Sequence, residues 1–176
     1  MHMYRSPKLF TRFCFLGLVY CRDTFILIFI AMKEDIPNSY TTLELPVQWG
    51  DMDAAQHVNN TVYLRWMESA RIEMFQKMNG GTLGLKKIVP ILAWQDCKYI
   101  FPVTFPDRVC VRLDIIELME DRVLCEGKIY SKKHERIVAI SKSLLMAYDT
   151  EKLKKHPFPE TWRKSFIDFY GASILK

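Results

Sequence analysis

No CxxC pair occurs in this 176-residue chain, and its five cysteines (Cys14, Cys21, Cys97, Cys110 and Cys125) are odd in number. A zinc knuckle and a disulfide framework are therefore disfavoured, and reduced thiols in a cytoplasmic setting are expected. No apolar run reaches the roughly 20 residues of a membrane-spanning helix. The 25 Lys and Arg exceed the 20 Asp and Glu, for a net charge of +5, yet the cations form no long block. A nucleic-acid footprint is thus weakly supported, whereas a mildly basic surface suits an acidic ligand such as a nucleotide or phosphate. No GxSxG stands in the chain and no serine has an obvious base, so the usual serine-hydrolase arrangement is missing. Internal repeats and low-complexity segments are absent too.

What is present is 49% hydrophobic and 26% charged, the composition of one soluble globular domain with ends to spare. Residues 1–32 differ from the rest. "KLFTRFCFLGLVYC" and "TFILIFIAM" are apolar runs split by Arg22 and Asp23. A membrane-associated or targeting leader fits them, as does an upstream start codon with translation beginning near Met32. The second is favoured, because "MKEDIPNSY" reads as an ordinary polar N-terminus. Residues 1–35 are set outside the core, 36–160 form the domain, and 161–176 form a C-terminal helix and tail.

From Tyr40 onward the pattern is orderly. "TTLELPVQWG" alternates as a strand. Residues 60–78 carry no Gly or Pro, and Tyr63, Met67, Ala70, Met74 and Met78 keep helical spacing. "NGG" at 79–81 is a helix stop. Four strands follow, at about 91–101, 108–118, 121–131 and 135–149. In the second of these, Val109, Val111, Leu113 and Ile115 point one way. The last is apolar on both faces in places and is expected centrally in its sheet. "ETWRKSFIDFYG" reads as a short closing helix. One strand, one long helix and four antiparallel strands make an α+β layout, with the sheet wrapped around a central helix.

The densest polar stretch, "DMDAAQHVNN" at 51–60, lies between a strand and that helix. Asn59 or Asn60 is the natural N-cap. A helix N-terminus carries roughly half a positive charge and bare N–H donors. It can polarise a carbonyl or hold an oxyanion. A carboxylate in the adjoining loop can attack that carbonyl or activate water. Those are the two components that acyl transfer needs.

"WGDMDAAQHVNNTVYLRWMESARIE" resembles the signature of hotdog-fold acyl-CoA thioesterases of the 4-hydroxybenzoyl-CoA thioesterase type. Asp51, Asp53, His57, Val58, Asn59, Asn60, Tyr63, Glu68, Ala70 and Arg71 stand at the matching spacings, and the resemblance runs from about residue 40 to 160. Gln56 departs from it, since many relatives carry Gly there, and Ala55 replaces a common aromatic. The resemblance implies a hotdog fold and hydrolysis of acyl-CoA or acyl-carrier-protein thioesters. It makes Asp53 the general base or nucleophile and the Asn60 N–H the donor to the thioester oxygen. It places His57, Asn59, Tyr63 and Glu68 around the substrate. It implies no metal and no cofactor beyond the coenzyme A of the substrate. It also implies a homodimer or dimer of dimers with the site at the subunit interface.

Plainer readings stand beside these. Asp51 reads as a hydrogen-bond acceptor of the turn. Asp53 alone reads as a cap, a preference that the whole motif reverses. His57 reads equally as a tie within the loop and as part of a site. Glu68 reads as a salt bridge to Arg65 or Arg71. The methionines read as core, and Cys97, Cys110 and Cys125 as buried small hydrophobes. Lys86, Lys87, Lys132, Lys133, Lys154 and Lys155 read as solvated surface before phosphate contacts. Three functional alternatives remain: a hotdog hydratase or dehydratase, a non-catalytic acyl-thioester binder, and a metal-dependent hydrolase using Asp51, Asp53, His57 and Glu68.

Overall fold

The computed structural model describes residues 41–78 and 87–176. Residues 1–35, the helix stop at 79–81 and Lys86 lie outside them. From Asn60 to Met78 the chain is one helix, α1, over the span that its spacing predicts. Asn59 caps it: its Oδ1 accepts the Thr61 N–H at 2.9 Å and the Thr61 hydroxyl at 2.7 Å. Met67, Ala70 and Met74 are fully buried and Tyr63, Trp66 and Phe75 nearly so, which makes the expected stripe the centre of the core.

Around this helix runs one antiparallel sheet of β1 (Thr41–Pro46), β2 (Ile88–Gln95), β3 (Lys98–Tyr99), β4 (Arg108–Leu118), β5 (Arg122–Ser131), β6 (Arg136–Asp149) and β7 (Lys154–Lys155). The strand order is β1-β4-β5-β6-β2, with β3 and β7 also paired to β6. β6 is therefore interior, as its two-faced apolar character predicts. Val109, Val111, Leu113 and Ile115 of β4 all face inward. Each contributes about 1.5–3 kcal/mol of hydrophobic stabilisation. Close approach of helix and sheet depends on Gly127 in β5, where an added Cβ would sit 2.4 Å from the Met67 sulfur. The α+β architecture expected from the residue pattern is the one observed.

Local details differ. The first strand stops at Pro46 instead of running to Gly50, because the Asp51 Oδ2 accepts the Gln48 N–H at 2.8 Å and turns Trp49–Asp51 into a 3-10 helix. The strand expected at 91–101 starts at Ile88 and breaks after Gln95. There Asp96 donates its N–H to the Lys142 carbonyl at 3.0 Å, while its side-chain Oδ1 accepts the Lys142 N–H at 2.7 Å. Of the three cysteines on or near strands, Cys125 is buried, but Cys97 and Cys110 are only half-buried. The chain closes with α2 (Glu160–Tyr170), which buries Trp162 and Phe166 and ends where Gly171 takes a φ of 76°. The Trp162 ring packs 5.5 Å from that of Phe75, at the far end of α1.

Candidate active site

The stretch from Asp51 to Asn60 folds back on itself. Asp53 donates its N–H to the His57 carbonyl at 3.0 Å, and its own carbonyl accepts from Gln56 at 2.9 Å. Its Oδ1 accepts the Ala55 N–H at 2.8 Å. Closing so tight a loop forces Gln56 to a φ of 59°, the left-handed region that favours glycine. The departure seen at position 56 in the sequence therefore has a backbone cost. An antiparallel bridge between Met52 and Val58 seals the base of the loop, and Val58 donates to the Val103 carbonyl at 2.8 Å.

This fold-back sets the Asp53 carboxylate beside the start of α1. The Asn59 side-chain amide reaches its Oδ2 at 3.4 Å. Asn59 also occupies the Thr61 N–H through its side chain and the Val62 N–H through its carbonyl at 2.9 Å. The N–H of Asn60 has no acceptor among the described residues. It is the first bare donor of the helix, at the positive end of the helix dipole.

β3 and the segment after it supply the opposite wall, against Tyr63 of α1. Tyr63 accepts the Val103 N–H on its hydroxyl at 3.2 Å. Tyr99 donates its hydroxyl to the Asn60 carbonyl at 3.1 Å. The two rings meet edge to face, 5.2 Å between centroids. Burial raises the pKa of both tyrosines above the usual phenol value, so both hydroxyls stay protonated at neutral pH. The result is a cleft of about 410 Å³ lined by Asp53, His57, Val58, Asn60, Tyr63 and residues 99–102.

Asp53, His57, Asn60 and Tyr63 thus share one cleft, with Asn59 supporting it from the loop side. Glu68 is exposed, two turns along α1, and is not part of the lining. The salt bridge read for Glu68 is replaced by other pairings. Arg65 pairs with Asp51 at 2.6 Å. Arg71 is buried and donates to the Gln95 side chain at 3.1 Å. Desolvation lowers the pKa of Arg71, while the charge of Glu68 opposes that shift. Asp51 is buried against Gln48 and Arg65 and serves the turn, so the four groups of a metal-ligand reading do not converge. Lys87 pairs with Glu151 and Lys132 with Glu44, while Lys154 and Lys155 are exposed on β7.

Tyr99 and Phe101 were not among the expected site residues. In the sequence they belong to an apolar strand-like run, and the pairing of that run with β6, unbroken in register from Gln95 to Tyr99, sets Tyr99 against the helix N-terminus. Chemically, the cleft combines a solvent-accessible carboxylate, an unpaired main-chain donor at a helix start and an aromatic wall. That set can polarise a carbonyl and deliver a nucleophile to it.

Comparison with known proteins gives the same direction. A family model described as the thioesterase-like superfamily matches residues 47–166. No curated protein matches the chain. Among solved structures, the PA2801 protein of Pseudomonas aeruginosa is 26% identical with a TM-score of 0.67, over 73% of this chain and 98% of that one. The gentisyl-coenzyme A thioesterase BH1999 is 25% identical with a TM-score of 0.65, over 71% and 98%. A thioesterase from Thermus thermophilus, complexed with coenzyme A and Zn, is 25% identical with a TM-score of 0.66, over 76% and 96%. Among the described residues no helix is long and apolar enough to cross a membrane.

Proposed function

The chain belongs to the thioesterase-like superfamily, and from that premise we propose that it hydrolyses acyl-CoA thioesters, with Asp53 as general base or nucleophile and the Asn60 N–H as donor to the thioester oxygen. The observation that carries this reading is the shared cleft: the Asp53 carboxylate and the bare start of α1 open onto the same space. The solved relative that holds coenzyme A supports the choice of thiol. A carboxylate next to an oxyanion donor is sufficient equipment for this reaction. The departing thiolate has a conjugate-acid pKa of about 8.5 and needs little help from an acid. His57 and Tyr63 line the acyl path, and Asn59 holds the Asp53 carboxylate.

The proposed assembly is a homodimer joined along β2. Among the described residues β2 is an edge strand, and Ile91, Leu92 and Trp94 on it are all exposed. An unpaired apolar edge of this kind is a template for pairing with another strand. A second copy would cover it and close the open side of the cleft.

The experiment is a panel of acyl-CoAs, short, long and aromatic, followed by a thiol-reactive dye, with the same acyl groups on carrier protein as a second arm. Thiol release with at least one acyl-CoA is the expected result. Acyl-CoA binding with no thiol released by any member, from CoA or carrier protein, overturns the reading in favour of a binder. Double-bond formation or hydration in place of thiol release overturns it in favour of a hydratase or dehydratase.

A further inference from the structure

The donor proposed to hold the thioester oxygen belongs to the least secured residue of its helix. Asn60 is the first residue of α1, so within the helix only its carbonyl is hydrogen-bonded, to the N–H of Leu64. Helix ends fray, and a frayed first turn would swing the Asn60 N–H out of line. An oxyanion donor must stay within about 0.5 Å and 10–20° of its productive aim.

One side chain from outside the helix grips this residue. The Tyr99 hydroxyl donates to the Asn60 carbonyl at 3.1 Å. Tyr99 is held in turn by its neighbours. Its ring abuts Tyr63, whose centroid is 5.2 Å away and whose own hydroxyl is tied to Val103. β3, which carries Tyr99, is anchored to β6 by Lys98–Ile140 and Tyr99–Ala139 pairing. A chain of contacts therefore runs from the middle of the sheet through Tyr99 to the first residue of α1.

We propose that Tyr99 is a positioning residue for the oxyanion site, a strap from β3 that fixes residue 60 through its carbonyl, so that the N–H on the other side of the same Cα keeps aim into the cleft. Tyr99 also lines the cleft, but its hydroxyl is spent on the Asn60 carbonyl, so it acts through the helix start and not on the thioester. This inference rests on the proposed thioester hydrolysis at Asn60, but its physical half is tested without turnover.

The test compares wild type with Tyr99→Phe, which keeps the ring and deletes the strap. Two readouts are taken on the full chain. The first is amide hydrogen exchange by NMR. The Leu64 N–H, which reports the state of the Asn60 carbonyl, should exchange about tenfold faster in the variant, the scale of one neutral hydrogen bond. Amides in the buried middle of α1, at Met67 and Met74, should not change. The second is steady-state thiol release, where kcat should fall about tenfold with KM within about twofold, because the loss concerns the transition-state donor and not uniform binding. Unchanged exchange at Leu64 overturns the strap whatever the enzyme does. Faster exchange with unchanged kcat overturns the positioning role. If wild type releases no thiol, the proposed function fails, and the strap is still judged on Leu64.

Discussion

Two aspartates stand two residues apart, and the structure predicts opposite consequences for losing them. Asp51 is 5% exposed, and its carboxylate accepts the Gln48 N–H at 2.8 Å and the Arg65 guanidinium at 2.6 Å. Asp51→Ala leaves the Gln48 amide without that acceptor. A hydrogen bond to a charged group contributes about 1.5–3 kcal/mol. The Arg65 side chain is 63% exposed, so the ion pair adds only the surface value of about 0–1 kcal/mol. A loss of about 1.5–4 kcal/mol lowers Tm by about 3–16 °C in a chain of this size. Asp53 is exposed, and in Asp53→Asn the retained Oδ1 still accepts the Ala55 N–H. Stability should therefore stay within about 0.5 kcal/mol of wild type. Thiol release should nevertheless fall at least about a hundredfold, the scale of a lost general base. The assay is a melting curve paired with kcat/KM on whichever acyl-CoA the panel identifies. The reasoning is refuted if Asp53→Asn keeps wild-type turnover, or if Asp51→Ala melts like wild type while losing its activity.

Other expectations follow from single features. Gln56→Gly should gain about 0.5–1 kcal/mol in urea titration, since relief of about 1–2 kcal/mol of left-handed strain exceeds the added entropy of glycine; a destabilised variant would show that the 59° φ carries no penalty. Burial pushes the Cys125 thiol from 9.0 up to about 12. A raised folded-state pKa means stability complete below pH 9 and lost as pH climbs toward 12, because the unfolded chain gives up the proton first. Between pH 9 and 11 this contribution falls by about 1.4 kcal/mol per pH unit, so wild type should lose stability more steeply than Cys125→Ala, and parallel slopes would contradict the assignment. Leu92→Lys, placed on the exposed edge of β2, should convert a dimer to a monomer in light scattering; an unchanged mass would move the interface elsewhere.

Much of this protein was legible in one dimension. Helical spacing from Tyr63 to Met78 and strict alternation through Val109, Val111, Leu113 and Ile115 are properties of consecutive residues, and they specify which face each element must bury. The polar run from Asp51 to Asn60 announced a loop meeting a helix start, and Asp51 could be read as the turn acceptor that it is. Folding decided what depends on distant partners. Arg65 went to Asp51 and Arg71 to Gln95, leaving Glu68 exposed, because charge pairing follows three-dimensional neighbours and not helical spacing alone. Pairing with β6, about 40 to 50 residues further along the chain, set Tyr99 and Phe101 at the cleft. Local pattern states which side of an element is apolar; only the closed sheet states which element waits on the other side.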